Sequence, residues 1–590
     1  MSGRQRRPEV AAPHVLREYA FLADGERGAL VGPRGDISWL CAPRWESGSV
    51  FSSLIGGRGV YSVTPQATYV WGGYYEPGTL IWRSRWVTHD GTVECREALA
   101  YPGDRDRLVL MRRVLAGRAP ARLDVLLCPR GDYDNDAVHR WTRDDDIWTG
   151  SAGGLRLRWS GAGAARPAGG GAMAMELRLE PGEHHDLVLE ITSGQLPDQP
   201  PNAERLWQST AAAWVSRIPP LDGVRAALDV RHNDTVLHGL TGPGGTVAAA
   251  TTSLPERFGD DRNYDYRYVW IRDQCFIGMA AAECGDERLL DVSTQSVTGL
   301  LLTHGDQLAP AYTVDGKEVP EQGHLDLPGY PGGHDVVGNH VRHQFQLDIF
   351  GQALQMFAAA ARVDRLDGDG WRAAELAADA VCRRWQEPDA GIWELTPRPW
   401  THSRLTGAAG LRAIAARAPA DARTRAAEWV ALADRIVADT ANHALHKDGY
   451  WQRSPDDEAT DAALLFPGFR GAVPSDDPRT VGTLEAYLDQ LTVNGYAYRF
   501  RHDDRPLHEA EGSFLLCGFG TALALYDQGR EPEAIGWFEH TRAACGPPQL
   551  FSEEYDAHQH QMRGNLPQAF VHALMIETAA VLGSGNRAGP

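Results

Sequence analysis

Near residue 200 the hydrophobic period of the chain changes, and this constrains the fold more than any other feature of the sequence. Before it, short alternating or β-branched runs such as GALVG, GVYSVTP, TLIWRSRWVTH, LVLMRRVL, LRLRWS and HDLVLEITS are divided by Gly, Pro, Asp and Asn. That is the grammar of strands and turns, and it predicts a sandwich of antiparallel sheets. After it, long segments carry apolar residues at three- and four-residue intervals, as in VRHQFQLDIFGQALQMFAAAARV and AAEWVALADRIVADTANHAL. In the first of these, Phe345, Ile349, Ala353 and Phe357 form one stripe with Phe350 and Leu354 beside it, the pattern of core packing. About a dozen such helices can be counted, which fits an (α/α)6 barrel. The expected fold is therefore multidomain, β then α. An N-terminal antiparallel β-sandwich occupies residues 1–200, a linker helix 201–222 and an (α/α)6 barrel 223–590. The Pro-rich QLPDQPPNAE (195–204) marks the break, and GAGAARPAGGGAMA (161–174) is expected to be a flexible loop between strands.

With 590 residues the chain is too long for one ordinary core, in keeping with two domains. A net charge of −20 argues against nucleic acid or anionic lipid as the main partner, and a neutral small molecule suits it better. Eighteen tryptophans and 18 tyrosines supply flat apolar faces that can stack on sugars, although large cores and strand pairs account for most such residues. The eight cysteines are scattered without any C-x-x-C spacing and read as small buried side chains in a reducing compartment. MSGRQRRPEVAAPHV lacks an apolar stretch of secretory type, and no apolar run approaches membrane-spanning length. A cytoplasmic location, no membrane and no nucleic acid are expected; oligomeric state is not fixed by these features.

Three loop segments combine aromatic and charged residues. NYDYRYVWIRD (263–273) places Tyr264, Tyr266, Tyr268 and Trp270 at period two before Arg272 and Asp273. It reads either as a strand ending in a surface ion pair or as an aromatic sugar floor ending in groups that take hydroxyls. In PDAGIWELTPRPWTH (388–402), Glu394 lies between Trp393 and Leu395, a setting that can desolvate a carboxyl and keep it protonated for acid catalysis. In FSEEYD (551–556), Glu553 and Glu554 stand side by side ahead of an apolar helix. Two carboxyls on separate loops among aromatics suit glycoside hydrolysis, where one protonates the leaving oxygen and the other activates water or attacks the anomeric carbon. No cofactor or metal is expected. Leu366 occupies the third position of any calcium loop starting at Asp364, the histidines of DAHQHQ (556–561) lie in a polar loop, and no nucleotide fingerprint is present.

NYDYRYVWIRD, GIWE, VGNHVRHQFQLDIFG, YRF, EGSFLLC and FSEEYDAHQHQMRGNLPQAF occur in the order seen in glycoside hydrolase family 15. The chain resembles the bacterial glucoamylase and trehalase-like branch of that family. REYAFLADGERGALVGPRGDISWLCAPRWES resembles its N-terminal sandwich, and GGTVAAATTSLPE its barrel entry. The resemblance implies an exo-acting α-glucoside hydrolase that inverts configuration. It matches Glu394 to the general acid, Glu553 to the general base and Glu554 to its neighbour. Tyr266 falls near the attacking water, Trp270, Arg272 and Asp273 on the nonreducing glucose, and Trp393 and Arg499 on further pocket positions. Inversion implies carboxyls roughly 6.5–9.5 Å apart.

The chain departs from trehalase-like relatives at Pro331 and Val336, which replace arginines, and at His402, Arg404, Ala408 and Arg412 after the acid. These changes are expected around the leaving-group side, where they bear on whether trehalose is cut. Two other readings remain open. One is a disaccharide phosphorylase on the same architecture, against which stand the second carboxylate and the lack of a phosphate loop. The other is a sugar-binding protein without catalysis, against which stands the intact acid–base pair.

Overall fold

A computed structural model describes residues 12–219, 221, 223–259 and 262–584. The basic N-terminal residues 1–11, on which the leader reading partly rested, lie outside these residues, as do Pro220 and Asp222 of the linker. Two eight-stranded antiparallel sheets make the sandwich. One runs in the order Ala20–Ala23, Gly28–Val31, Asp36–Cys41, Val60–Pro65, Ala121–Cys128, Ala172–Leu179, Arg166–Gly169, with Ser49–Phe51 beside the third strand. The other runs Thr142–Asp144, Ile147–Ala152, Leu155–Ser160, His184–Thr192, Arg107–Ala116, Thr92–Leu99, Trp82–Thr88, Tyr69–Tyr75. Alternate residues of both, including Val63, Trp82, Trp86, Val125 and Trp159, fill the space between them. Buried Arg112 ties the sheets together, donating to Glu97 of its own sheet and to the Gly35 and Tyr61 carbonyls of the other.

The segment expected to be a flexible loop is in fact part of the first sheet. Arg166–Gly169 pairs with Ala172–Leu179, and Gly169, Gly170 and Gly171 take φ of 90°, 59° and 83° to turn the chain between them. Its glycines supply left-handed backbone for a tight hairpin, so the composition signalled a turn rather than disorder.

Eleven helices of twelve residues or more lie from Ala227 onward among the described residues, and two consecutive short turns, Ala462–Leu465 and Phe466–Phe469, fill the remaining place. Six of these elements form a closed inner ring, each touching the next: Ile271–Cys284, Asp348–Arg362, Thr401–Ala415, the 462–469 turns, Leu515–Asp527 and Ala569–Ser584. These helices are buried on nearly every face, most plainly in the apolar LLCGFGTALALYD, because neighbours surround them. The outer helices are one-sided. Arg423–His443 buries only Trp429, Leu432, Ala433, Ile436, Val437 and Thr440, one stripe at helical spacing. Close approach inside the ring depends on glycine, since a Cβ on Gly410 would collide with the Gly351 carbonyl of the adjacent inner helix. The architecture is an (α/α)6 barrel behind a β-sandwich.

The helix Ala203–Val215 joins the two, with Trp214 stacked on Tyr101 at 3.6 Å between ring centroids. Buried Arg267, paired with Asp265, reaches from the barrel into the sandwich to the Trp45 and Ser47 carbonyls. It anchors the segment that carries Tyr266 and Trp270. Six cysteines are buried, Cys545 is partly so, and Cys382 is exposed, an exception to the buried reading. No helix among the described residues is long and apolar enough to cross a membrane.

Candidate active site

At one end of the barrel the loops enclose a cleft of about 280 Å³. Eight of the nine residues singled out from sequence line it: Tyr266, Trp270, Arg272, Asp273, Trp393, Glu394, Arg499 and Glu553. Glu554 does not. It is fully buried behind the wall, accepting from Arg499 Nη2 at 3.1 Å and from the Gly512 amide at 2.9 Å.

The aromatic run reaches the cleft as extended chain, bonded along one side to residues 248–253 and a regular strand only at its end. Before the inner helix begins at Ile271, Val269–Trp270 pairs with Ala311–Tyr312, Asp265 bridges to Thr252, and the Tyr264, Tyr266 and Tyr268 carbonyls accept from the Ser253, Ala249 and Ala248 amides. Tyr264 and Tyr266 are stacked, and Tyr266 meets Trp270 edge-on at 5.5 Å. Arg272 and Asp273 therefore sit in the first turn of a buried helix. Asp273 Oδ1 is buried without a hydrogen-bond partner, a free acceptor beside the cleft.

Glu394 occupies a turn pinned by buried Asp389, whose Oδ1 accepts from the Gly391 amide, Ser403 Oγ and the Leu347 amide. This carboxylate thus fixes the turn against two inner helices. Glu394 itself has φ 57°, a left-handed conformation that a glutamate adopts at a cost of order 1–3 kcal/mol. Its side chain is partly shielded from solvent. It is 22% exposed and accepts from Trp270 Nε1 and Arg272 Nη2, both at 3.0 Å. The adjacent Trp393 donates to Asp461 at 2.7 Å and lies edge-on to Phe514 at 5.3 Å.

Arg272 also faces Asp348 at 3.6 Å, so three carboxyls, those of Glu394, Asp273 and Asp348, gather around one guanidinium. Burial lifts Asp273 to about 7 against the pull of Arg272 and with the added push of Glu394. Burial likewise lifts Asp348 to about 6, partly offset by Arg272. Asp273 and Asp348 thus hold their protons more firmly than ordinary carboxyls.

Glu553 stands opposite in a second cluster. It precedes the strand Glu554–Asp556, which pairs with Ser513–Phe514 and Gln561–Arg563. Tyr266 Oη lies 3.4 Å from Glu553 Oε1 and 3.3 Å from Glu256 Oε1, while Glu553 Oε2 is buried without a partner. Burial raises the Glu553 carboxyl well above the usual range, and the neighbouring Glu256 raises it further. Arg499 balances the cluster. It pairs with Glu511 at 2.8 Å and lies 3.7 Å from Glu256, its guanidinium 4.6 Å from the Phe514 ring centre. Burial would raise Glu511, but Arg499 and His502 outweigh it and hold the carboxyl at about 2.

The positions expected to reshape the leaving-group side lie elsewhere. None of Pro331, Val336, His402, Arg404, Ala408 and Arg412 lines the cleft. Val336 is buried, with its carbonyl bonded by Thr252 and Ser253, and Ala408 is core of an inner helix. His402 bonds Thr406 and lies behind the wall with Trp393 and Asp461. The side chains that do line the cleft, unforeseen from sequence, include Glu256, Arg262, His340, Phe500, His502 and Gln568. Glu256 ends TTSLPE, a motif read only as a barrel entry, and a carboxylate following an apolar Leu-Pro was its available signal.

Among the described residues one cluster has metal-ligating composition, Asp234, His238 and Asp286, outside the cleft lining. His238 Nε2 already pairs with Asp286 at 2.7 Å. DRLDGDG is a turn in which Asp367 caps the helix Gly368–Arg384.

The profile described as glycosyl hydrolases family 15 matches residues 228–580, and the profile described as trehalase-like, N-terminal matches residues 9–213. The chain is 30% identical to a trehalase of Mycobacterium tuberculosis over 95% of its own length and 88% of that protein's. It is 29% identical to a trehalase of Mycolicibacterium smegmatis, over 95% and 90% respectively. A bacterial glucoamylase solved in complex with acarbose superposes with a TM-score of 0.71, covering 98% of this chain and 95% of that one at 14% identity. That last likeness concerns the fold.

Proposed function

The chain belongs to glycosyl hydrolase family 15 and is a glycosidase acting on carbohydrate; on that footing we propose that it cleaves terminal α-glucosidic bonds from the nonreducing end with inversion. Trehalose heads the substrate class, because the two relatives above, aligned over nearly their whole length, are named trehalases. Pro331, Val336, His402 and Ala408 do not themselves line the cleft.

In this reading the Glu394 carboxyl gives its proton to the bridging oxygen, and the C1–O bond breaks with its electron pair moving to that oxygen. Water attacks C1 from the opposite face and passes a proton to Glu553, so the released glucose is β. Asp273 Oδ1 and Arg272 take hydroxyls of the terminal glucose, Trp270 and Trp393 offer apolar faces to its C–H groups, and Tyr266 orients water at Glu553. Arg499 and Glu554 brace the base from behind. The observation that carries this reading is that Glu394 and Glu553, separated by much of the barrel sequence, line one cleft, each with its own set of hydrogen-bond donors and carboxyl neighbours.

The test is glucose release from trehalose, maltose, isomaltose, kojibiose and nigerose, with and without phosphate. Hydrolysis independent of phosphate is expected. Strict phosphate dependence with glucose 1-phosphate as product would contradict it, as would binding without turnover of every sugar tried.

A further inference from the structure

The proposed mechanism leaves one buried ionisable group of the cleft without a task. Glu256 is 3% exposed, lines the cleft, and shares the Tyr266 hydroxyl with Glu553. Its position is fixed by backbone: its amide donates to the Arg262 carbonyl at 3.1 Å, and the preceding Pro255 carbonyl accepts from the Gly564 amide at 2.8 Å. Gly564 has φ 78°, and a Cβ built on it would lie 3.5 Å from both Glu256 Cγ and Glu553 Cβ. The two glutamates thus converge on one glycine from loops nearly 300 residues apart in sequence. Two acidic side chains packed together in a dry wall are costly unless the repulsion serves some end.

We propose that Glu256 is a positioning residue of this cleft, which pairs with Glu553 across Tyr266 and uses its negative charge to make Glu553 a stronger acceptor for the proton of water. The inference rests on Glu553 being the base. Arg499 Nη2 is 3.7 Å from Glu256 Oε2, while Glu553 Oε2 is buried without a bond. Burial and the neighbouring Glu256 together make Glu553 hold its proton more firmly than an ordinary carboxyl. The other charged or titratable groups facing the pair are Tyr264, Arg262, Glu394 and Glu554; at Glu553 burial first, then Glu256, with Glu554 adding to them, outweigh Arg499. A base with affinity raised toward the working pH removes a proton from water more effectively than an ordinary carboxylate. Proton balance is kept. Glu553 takes one proton from the attacking water and loses it to solvent after glucose departs, and Glu394 regains the one it gave.

The experiment is the pH dependence of kcat/KM for the full chain, with Glu256→Gln and Glu256→Asp, on the best-cleaved α-glucoside. Glu256→Gln keeps shape and hydrogen bonding while removing the charge. The acidic limb is expected to move down by on the order of one pH unit, and the plateau kcat to fall about three- to tenfold through the weaker base. Glu256→Asp, which keeps the charge, is expected to hold the limb near its original position. An unmoved limb in a folded Glu256→Gln protein would overturn the proposal. So would a loss as deep as that of Glu553→Gln, because Glu256 would then itself be the base. If Glu553→Gln were to remain active, the assignment of the base fails, and this inference with it. If Glu553→Gln is inactive and the limb does not move, only this inference fails.

Discussion

Arg272 Nη2 lies 3.0 Å from Glu394 Oε1 across 122 positions of sequence, binding the first turn of one inner helix to the loop before another. The same guanidinium donates to Gln346 at 2.8 Å and faces Asp348, so it both aims the proposed acid and compensates buried charge. Arg272→Lys keeps the charge but loses the planar fork that serves these partners at once. Breaking a buried charge-assisted contact costs about 2–5 kcal/mol. A fall in kcat/KM of on the order of a hundredfold is expected, with the folded state retained, as steady-state kinetics and circular dichroism will show. Near-normal kcat/KM would mean that Arg272 has no part in the site.

Glu394→Gln and Glu553→Gln are each expected to lower kcat/KM by a factor on the order of 10² to 10⁴, the contribution of a positioned acid or base. Glu554→Gln tests the choice within the acidic pair. Glu554 braces Arg499 from behind the wall, so its loss is expected to weaken activity much less than loss of Glu553. A reversed order, read in the same assay, would exchange their roles.

The expectations from sequence and the structure differ in an orderly way. Contiguous motifs carried the site well, because Tyr266, Trp270, Arg272 and Asp273 share one short segment, and Trp393 shares another with Glu394. The change of hydrophobic period likewise marked the two architectures, since burial on one face or on all faces leaves its trace in spacing. What spacing could not carry was direction. Glu553 and Glu554 are neighbours in sequence, yet only Glu553 lines the cleft, because the strand that begins at Glu554 alternates its faces. Glu256 escaped notice because two of its partners, Glu553 and Gly564, meet it only through the closure of the ring. Pro331, Val336, His402 and Ala408 stand out by their place in a motif, which says nothing of depth, and the fold puts them outside the cleft lining.

Stability will vary with pH because the buried carboxyls shift in opposite directions. Asp273, Asp348 and Asp389 are raised to about 7, about 6 and about 8, chiefly by burial. Raised groups favour the fold fully below their unfolded values near 4, and that contribution falls from there until pH reaches each folded value, between about 6 and 8. Glu511, held at about 2, works the other way: it stabilises above its unfolded value and is lost as pH falls toward 2. Tm followed by calorimetry is therefore expected to lose the contribution of these three aspartates progressively from about pH 4 to about pH 8. Asp389→Asn, which keeps an acceptor for Gly391, Ser403 and Leu347, is expected to flatten the fall between about pH 4 and 8. An unchanged slope would mean that Asp389 does not ionise in that range.

The most direct test of the proposed mechanism is the anomeric form of glucose at the first moments of trehalose cleavage, followed by proton NMR before mutarotation. Attack by water at one C1 with inversion, assisted by Glu394 and Glu553, predicts equal initial amounts of β-glucose from the attacked residue and α-glucose from the leaving one. If trehalose is not cut, the same measurement on the best α-glucoside predicts β-glucose from the nonreducing end. Release of α-glucose alone would contradict inversion and the separate roles of Glu394 as acid and Glu553 as base.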